Sequence, residues 1–388
     1  MSFKYQMLRF LSTYARKAYR VLNYEHFVEQ NIQLAKKFKP KNGQVLYKLT
    51  SEDLKNYKKK WGVFGAGVKD IHVRNASGFL GYFDENIVPS DVYFAIIEPL
   101  LNNRKFALAY EDKARIDWIN KPEHIPAIYV RNINGVYYSN DKKVLQKQSI
   151  DFDGLLTGVD SVVIKKTIEI HGGKGVEMFD RNKEGQLVND KNEILSLDLL
   201  EQKFKKDFLV QKTVEQHPFY KAFNPSSLNT FRVYTYRSVT DNQIHILYSF
   251  LRIGAEKSRV DNIANGGVFV CLKEGRFIEK GMKIGGVVVK QMNGLKPFKE
   301  MGTPPFIDEV YKLAKELAAS HYYCRILGFD LAIDAQGKVM HIETNTSDIG
   351  MEGLQCTLGP LFHEFTDEII EYCKTEMKPK SKYSIYGS

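Results

Sequence analysis

The sequence predicts an α+β protein of layered subdomains preceded by a helical, basic N-terminal region. Three observations carry that expectation. Strand-like and helix-like segments alternate along 388 residues without an internal repeat, and a chain of that length can bury two or three subdomains. The charge is uneven: residues 1–60 hold 14 Lys/Arg against 4 Asp/Glu, a net +10 that equals the excess of the whole chain. Near the C-terminus, apolar residues alternate on both sides of Gln336-Gly337, the pattern of a β-hairpin.

Composition narrows the class. Apolar and charged fractions are those of an ordinary soluble protein. Cys271, Cys324, Cys356 and Cys373 are scattered without a CxxC or Cys/His cluster, which argues against structural zinc or a disulfide framework and fits a reducing cytosol. No run of about 18 apolar residues and no signal-peptide pattern is present, so no membrane-spanning segment is expected.

Residues 4–22 read as a helix with Met7, Leu8, Leu11, Tyr14, Ala15, Ala18, Tyr19 and Leu22 on one side and Arg9, Arg16, Lys17 and Arg20 around the rest. Such a helix can lie on an anionic membrane surface or dock onto a partner through residues 1–60. The apolar residues are ordinary core types, and the reading preferred on that ground is a helix packed on its own domain with a solvated basic face. Nucleic acid is not expected, because no recognised binding module accompanies the charge.

A break follows around Lys39–Gly43, then Gly-rich turns, then Pro89-Ser-Asp-Val as a helix start ahead of Tyr93–Leu101. Phe106-Ala-Leu-Ala and Ala127-Ile-Tyr-Val suggest small strands, with a turn at Asn134-Gly135. Val162–Ile170 is strand-like and runs into His171-Gly-Gly-Lys-Gly-Val176. A second strand pair brackets Asn182–Gly185, and Leu195–Phe204 reads as a short helix. Strands are expected at Phe208–Val214, Thr230–Arg237 and Ile244–Arg252. An amphipathic helix follows at Pro305–Tyr323, and a closing helix at Leu361–Met377.

The hairpin carries the first chemistry. With Gln336-Gly337 as a two-residue loop, Leu331 opposes Ile342 and Ile333 opposes Met340 on an apolar face. Asp330 opposes Glu343 on the other face, with Asn345 two residues on. Like charges across a ladder are unfavourable unless neutralised. Three oxygen ligands at one spot suit Mg²⁺, which is usually shared with substrate phosphates; the alternative is a merely solvated polar face. Gly172, Gly173 and Gly175 can lay backbone N–H groups over phosphates, with Lys174 adding charge, although Gly-rich hairpin turns are common. Lys165, inside an apolar strand, needs an anionic partner if buried.

The order of a Lys-containing strand, a Gly-rich loop, an apolar hinge strand, an Arg-containing strand and Asp-x12-Glu-x-Asn resembles the ATP-grasp fold, in which two α+β subdomains grip ATP. Asp112-Lys113, Gln216-His-Pro218, Asn224-Pro-Ser-Ser-Leu-Asn-Thr-Phe-Arg232, Leu251-Arg-Ile-Gly254 and Val260-Asp-Asn262 narrow the resemblance. Together they are similar to the sugar-transfer-associated branch found with capsule and surface-polysaccharide synthesis. The resemblance implies three divisions: a basic mixed region over 1–104, a lid subdomain over 105–205 and a C-terminal subdomain over 206–388.

It also implies roles. Lys113 and Lys165 contact nucleotide phosphates, the 172–175 loop closes over them, and Gln211-Lys-Thr-Val214 is the hinge, with the Lys212 carbonyl and Val214 N–H gripping adenine. Many relatives carry Glu where Gln211 stands. Arg232 neutralises the transferring phosphate, a task suited to a fixed guanidinium. Arg252, Asp261, Asn262 and Asn265 flank the same cleft, to read the acceptor or orient the acyl phosphate, with loop-building the alternative for the Asn and Asp residues, and Asp330, Glu343 and Asn345 hold Mg²⁺. The stretch Gly281–Pro304 departs from the family pattern, which leaves the substrate unread.

The implied cofactors are ATP and Mg²⁺. The implied reaction is a carboxylate–amine or carboxylate–thiol ligation through an acyl phosphate, on a small-molecule or glycan carboxylate, in the cytoplasm or at the inner membrane face. The alternatives are a phosphotransferase acting on a hydroxyl, and a non-catalytic scaffold of a polysaccharide synthesis complex.

Overall fold

The computed structural model describes residues 3–40, 45–65, 68–168, 175–259, 266–292, 294–377 and 385. Within them the chain builds two antiparallel seven-stranded sheets. The first holds β1 (Ile128–Ile133), β2 (Val136–Ser139), β3 (Val144–Leu145), β4 (Ser161–Lys166), β5 (Val176–Arg181), β6 (Leu187–Val188) and β7 (Phe208–Lys212), in the order β3-β2-β1-β7-β4-β5-β6. The second holds β8 (Thr230–Arg237), β9 (Ile244–Ile253), β10 (Val268–Lys273), β11 (Arg276–Lys283), β12 (Val287–Val289), β13 (Ile326–Ile333) and β14 (Val339–Asn345), in the order β12-β11-β10-β9-β8-β13-β14.

Local sequence explains the joints. Asn134 and Gly135 both take positive φ, 51° and 86°, which closes the β1/β2 hairpin as a two-residue turn matching strand twist. Helix Leu197–Phe204 is capped by Ser196, whose side chain accepts the Leu199 N–H, and packs Leu197 and Leu200 onto the first sheet. Helix Ile307–Ala319 buries Ile307, Val310, Leu313, Ala314 and Leu317, the stripe expected from its spacing, against one face of the second sheet. The opposite face, carrying Tyr234, Tyr236, Tyr248 and Phe250, is covered by the N-terminal region and the C-terminal helices. That covering layer includes α1 (Phe3–Lys37), α2 (Ser51–Trp61) and α3 (Ile71–Leu80), with α2 started by a reciprocal Thr50/Asp53 cap.

Four expectations need correction. The division at 205/206 falls before β7, yet β7 pairs with β1 and β4 in the centre of the first sheet, so the first subdomain runs past residue 205. Phe106-Ala-Leu-Ala is helical rather than a strand, because Asn103 caps it: its carbonyl accepts from Phe106 and Ala107 and its side chain from Lys105.

The β13/β14 hairpin also differs in register. Leu331 pairs with His341 and Ile333 with Val339, and the regular pattern breaks between Asp330 and Leu331. The Asp334 N–H donates to the Lys338 carbonyl, so the loop has three residues, with Gly337 at φ 84°.

The fourth correction concerns α1. Ala15, Ala18, Tyr19 and Leu22, read above as core-facing, are exposed. The helix packs instead through Tyr24, Asn31 and Ala35 farther along. Among the described residues no helix is long and apolar enough to cross a membrane.

Candidate functional site

Along β8 and β9 one sheet face changes character. It is aromatic at Tyr234, Tyr236, Tyr248 and Phe250, inside the core, and becomes ionic at Arg232 and Arg252 where the covering layer ends. Arg232, Asp330 and Glu343 then stand side by side on three neighbouring strands, since Arg232 pairs with Asp330 and Asp330 with Glu343.

Asp330 is buried and doubly held. Arg232 donates through Nε and Nη2 to its two oxygens, each at 2.6 Å, and Arg252 Nη1 donates to Oδ2 at 2.6 Å. Burial opposes charge here, but the two guanidiniums outweigh it and hold the Asp330 carboxyl down at about 2. The same contact holds Arg232 above its ordinary value despite burial. Glu343 is neutralised separately by Lys113, 2.8 Å away. Asn345 donates its amide to the Gly328 carbonyl at 3.2 Å, which leaves its oxygen as the atom able to hold a cation.

Facing this row is one face of the first sheet. Lys165 on β4 and the segment Gln211–Val214 line a shared cavity of about 770 Å³ with Arg252, Asp330 and Glu343. Its apolar walls are Pro126, Tyr129, Val163, Met178 and Ile342. Lys113 ties the two sides together: its N–H donates to the Thr167 carbonyl just past β4, and its ammonium reaches Glu343 on β14.

The chain crosses between the sheets immediately after the hinge. Ala335 N–H donates to the Glu215 carbonyl and His217 N–H to the Ile333 carbonyl, so residues 215–217 are fastened to the end of the metal-candidate hairpin. The next wall, Pro225–Thr230, is held by three buried amides. Gln216 Nε2 donates to the Ser227 carbonyl at 2.7 Å, and its oxygen accepts from Asn229 N–H at 3.1 Å. Asn229 Nδ2 donates to the carbonyls of Tyr220 and Asn224. Asn224 Nδ2 reaches the carbonyls of Gly254 and Ala255, which fixes this wall to the loop after β9. Satisfied networks of this kind specify one geometry for the groups they support.

A slot with apolar walls, the segment Gln211–Val214 at one end and paired acids and bases at the other suits a nucleotide whose base enters the slot and whose phosphates meet the charges. A sequence model of the sugar-transfer associated ATP-grasp family matches residues 95–367. The chain belongs to that family.

Solved structures matched by this ATP-grasp chain include N5-carboxyaminoimidazole synthetase from Staphylococcus aureus complexed with ADP, at 10% identity over 61% of this chain and 45% of that one, TM-score 0.33. D-alanyl-alanine synthetase A from Vibrio cholerae O1 biovar eltor matches at 11% identity over 69% and 65%, TM-score 0.38. The ATP-grasp ligase PsnB complexed with minimal precursor, Mg and ADP matches at 14% identity over 71% and 62%, TM-score 0.37. The chain spans less than two thirds of each of those three. Among curated proteins none matches the sequence.

Most ATP-grasp positions expected from sequence converge. Lys113, Lys165, Gln211, Lys212, Val214, Arg252, Asp330 and Glu343 line the one cavity, with Arg232 bonded to Asp330 beside it. Gly172, Gly173 and Lys174 lie outside the described residues, as do Asp261, Asn262 and Asn265. Gly175, at φ 71°, accepts the Lys166 N–H where β4 and β5 meet.

Three cleft features escaped the sequence. Ile342 faces the cleft as the extra residue of the hairpin, a placement hidden by the two-residue-loop reading. Tyr129 and Met178 form walls from ordinary strand positions that carry no local signal. Arg259 pairs with Asp180 of β5 at 2.6 Å and with Asp190 at 3.0 Å, joining the second half of the chain to the first sheet.

Proposed function

We propose that this ATP-grasp protein is an ATP- and Mg²⁺-dependent carboxylate–amine or carboxylate–thiol ligase acting through an acyl phosphate. The observation that carries the reading is the in-register row Arg232–Asp330–Glu343, flanked by Arg252 and Lys113, opposite a slot edged by Gln211–Val214. Adenine enters between Tyr129, Val163, Met178 and Ile342, and the Lys212 carbonyl and Val214 N–H read its edge. Lys113 and Lys165 meet the phosphates.

The donor chemistry fits Mg²⁺. Asp330, Glu343 and the Asn345 oxygen are hard oxygen ligands on adjoining strands, and the site already balances two facing carboxylates with cations. Asp330, Glu343 and Asn345 would hold the ion, which when bound supplies positive charge to the β- and γ-phosphate oxygens.

The chain's own groups do the rest by position and charge. Arg232 and Arg252, poised on Asp330, supply positive charge to the transferring phosphate and the acceptor. A carboxylate oxygen of the acceptor attacks the γ-phosphorus, the bond to the β-phosphate oxygen breaks, and ADP leaves with the electron pair. An amine or thiol then attacks the acyl carbon, loses its proton and expels inorganic phosphate. The family's description names sugar transfer, which supports a capsular or surface polysaccharide, or its precursor, as the modified molecule. The setting we infer is the cytoplasm, where ATP is supplied.

Calorimetry with ATP and Mg²⁺, followed by product analysis with pairs of uronic acids and amines, tests the reading. The expected result is Mg²⁺-dependent ATP binding, lost in Asp330→Ala, and free phosphate released one-for-one with a new amide. Phosphate retained on a hydroxyl would instead make the protein a phosphotransferase. Absence of ATP binding would leave the scaffold reading.

A further inference from the structure

The N-terminal half of α1 presents an apolar stripe away from the protein body. At about 3.6 residues per turn, Ala15, Ala18, Tyr19 and Leu22 share one side of the helix. Tyr24, Phe27, Val28, Asn31 and Ala35, which pack on the body, share the opposite side. A single helix through Phe3–Lys37 cannot turn both stripes onto the same surface. Exposure agrees: Tyr19 is 66% and Leu22 69% accessible, while Ala35 is fully buried. Tyr14, on the flank of the outward stripe, is 59% accessible.

An amphipathic helix gains most of its stability from packing its apolar face, so an outward stripe calls for an external surface. Charge selects which. The first 24 residues contain Lys4, Arg9, Arg16, Lys17 and Arg20 and no Asp or Glu. A second copy of this chain would bring two such segments together and repel. An anionic lipid surface attracts them, and Tyr and Leu side chains are suited to the boundary between headgroups and acyl chains. The body packs on the side opposite the stripe, so the stripe is open to an external surface.

We propose that residues 3–23 form an interfacial anchor that seats the protein on an anionic bilayer surface through Tyr19 and Leu22, with the basic residues of the segment supplying charge. The inference is independent of the ATP-site reading. Flotation of the full chain with vesicles of zwitterionic lipid, alone or with about a third anionic lipid, tests it. Binding is expected to the anionic vesicles at low salt and to weaken steeply as salt rises.

Tyr19→Ser/Leu22→Ser and, separately, Arg16→Glu/Arg20→Glu should each lower that binding at least about tenfold. The urea unfolding midpoint should stay unchanged in both, which shows the body intact. Three outcomes overturn the proposal: no binding to anionic vesicles, equal binding to both compositions, or variants that float like the unaltered chain. Concentration-dependent self-association removed by Tyr19→Ser/Leu22→Ser, without vesicle binding, would assign the stripe to a second copy.

Discussion

Asp330 faces Glu343 across the β13/β14 ladder because Ile342 is one residue more than the ladder can pair. The three-residue loop at Ala335–Gly337 sets Leu331 against His341, and a regular continuation would then place Ile342 opposite Asp330. Bulging at Ile342 restores the acid pair and turns both Ile342 and Glu343 to the cleft. The bulge therefore supplies two things at once: an apolar wall for the slot and a carboxylate beside the buried one.

Gly337 is where this register is fixed. Its φ of 84° is disfavoured for other residues, and a Cβ there would run into the Phe306 ring. Gly337→Ala is expected to destabilise the fold by about 2 kcal/mol, from backbone strain plus overpacking. Urea unfolding measures this, and an unchanged midpoint would mean that the loop tolerates a second conformation.

Asp330 tests the ion cluster. Asp330→Asn keeps the shape but sets an amide against two guanidiniums, leaving buried charge without its anion. Stability should fall by roughly 3–5 kcal/mol, and ATP turnover on the order of 100-fold. Because Arg232 and Arg252 hold the folded carboxyl near 2, below its ordinary 3.8, its contribution is complete above about pH 4 and is lost as pH falls through 2. The gap in unfolding free energy between the two proteins should thus be flat from pH 5 to 8.

Gln211 lines the slot, and its surroundings show what the amide does. Its Nε2 donates to the Pro126 carbonyl at 2.9 Å, with the side chain 2% exposed. A carboxylate there would set acceptor against acceptor. Gln211→Glu is expected to cost about 1–3 kcal/mol at neutral pH and to recover part of that on acidification, when the acid can donate. A pH-independent loss in thermal unfolding would rule this out.

Legibility followed the range of the physics. The facing of Asp330 and Glu343 was readable because alternation fixes faces locally, although the loop length and the bulge that deliver it were not. Thr230–Arg237 was readable in full, since β-branched and aromatic residues fill it apart from its closing Arg237 and from Arg232, which marks where core gives way to cleft. β7 was assigned to the wrong side because nothing in an apolar strand says which sheet it joins; that choice is made by partners at Ile128–Asn132 and Val162–Lys166. The outward stripe of α1 was misread for a related reason. Periodicity shows that a face is apolar, but only the position of the body shows whether that face is covered.

The layer over the second sheet holds a buried charge cluster outside the cleft lining, and it sets an alkaline limit on stability. His72 is enclosed, with Nδ1 3.2 Å from both Glu352 oxygens and Nε2 3.3 Å from Asp91 Oδ1, and with the Ser90 hydroxyl at 3.1 Å. Burial works against its charge, but Glu352 and Asp91 outweigh burial and raise the imidazole from 6.5 to about 10. A base whose folded value is raised contributes its full stability below the unfolded value and loses it as pH climbs through the folded one. The contribution is therefore complete below about pH 6.5 and declines toward pH 10. His72→Gln leaves two buried carboxylates without a cation and should cost about 3 kcal/mol or more at pH 6. Groups common to both proteins cancel in the comparison, so the wild-type advantage in urea unfolding should be largest at pH 6 and shrink by pH 10. A constant advantage would mean that His72 is neutral in the fold.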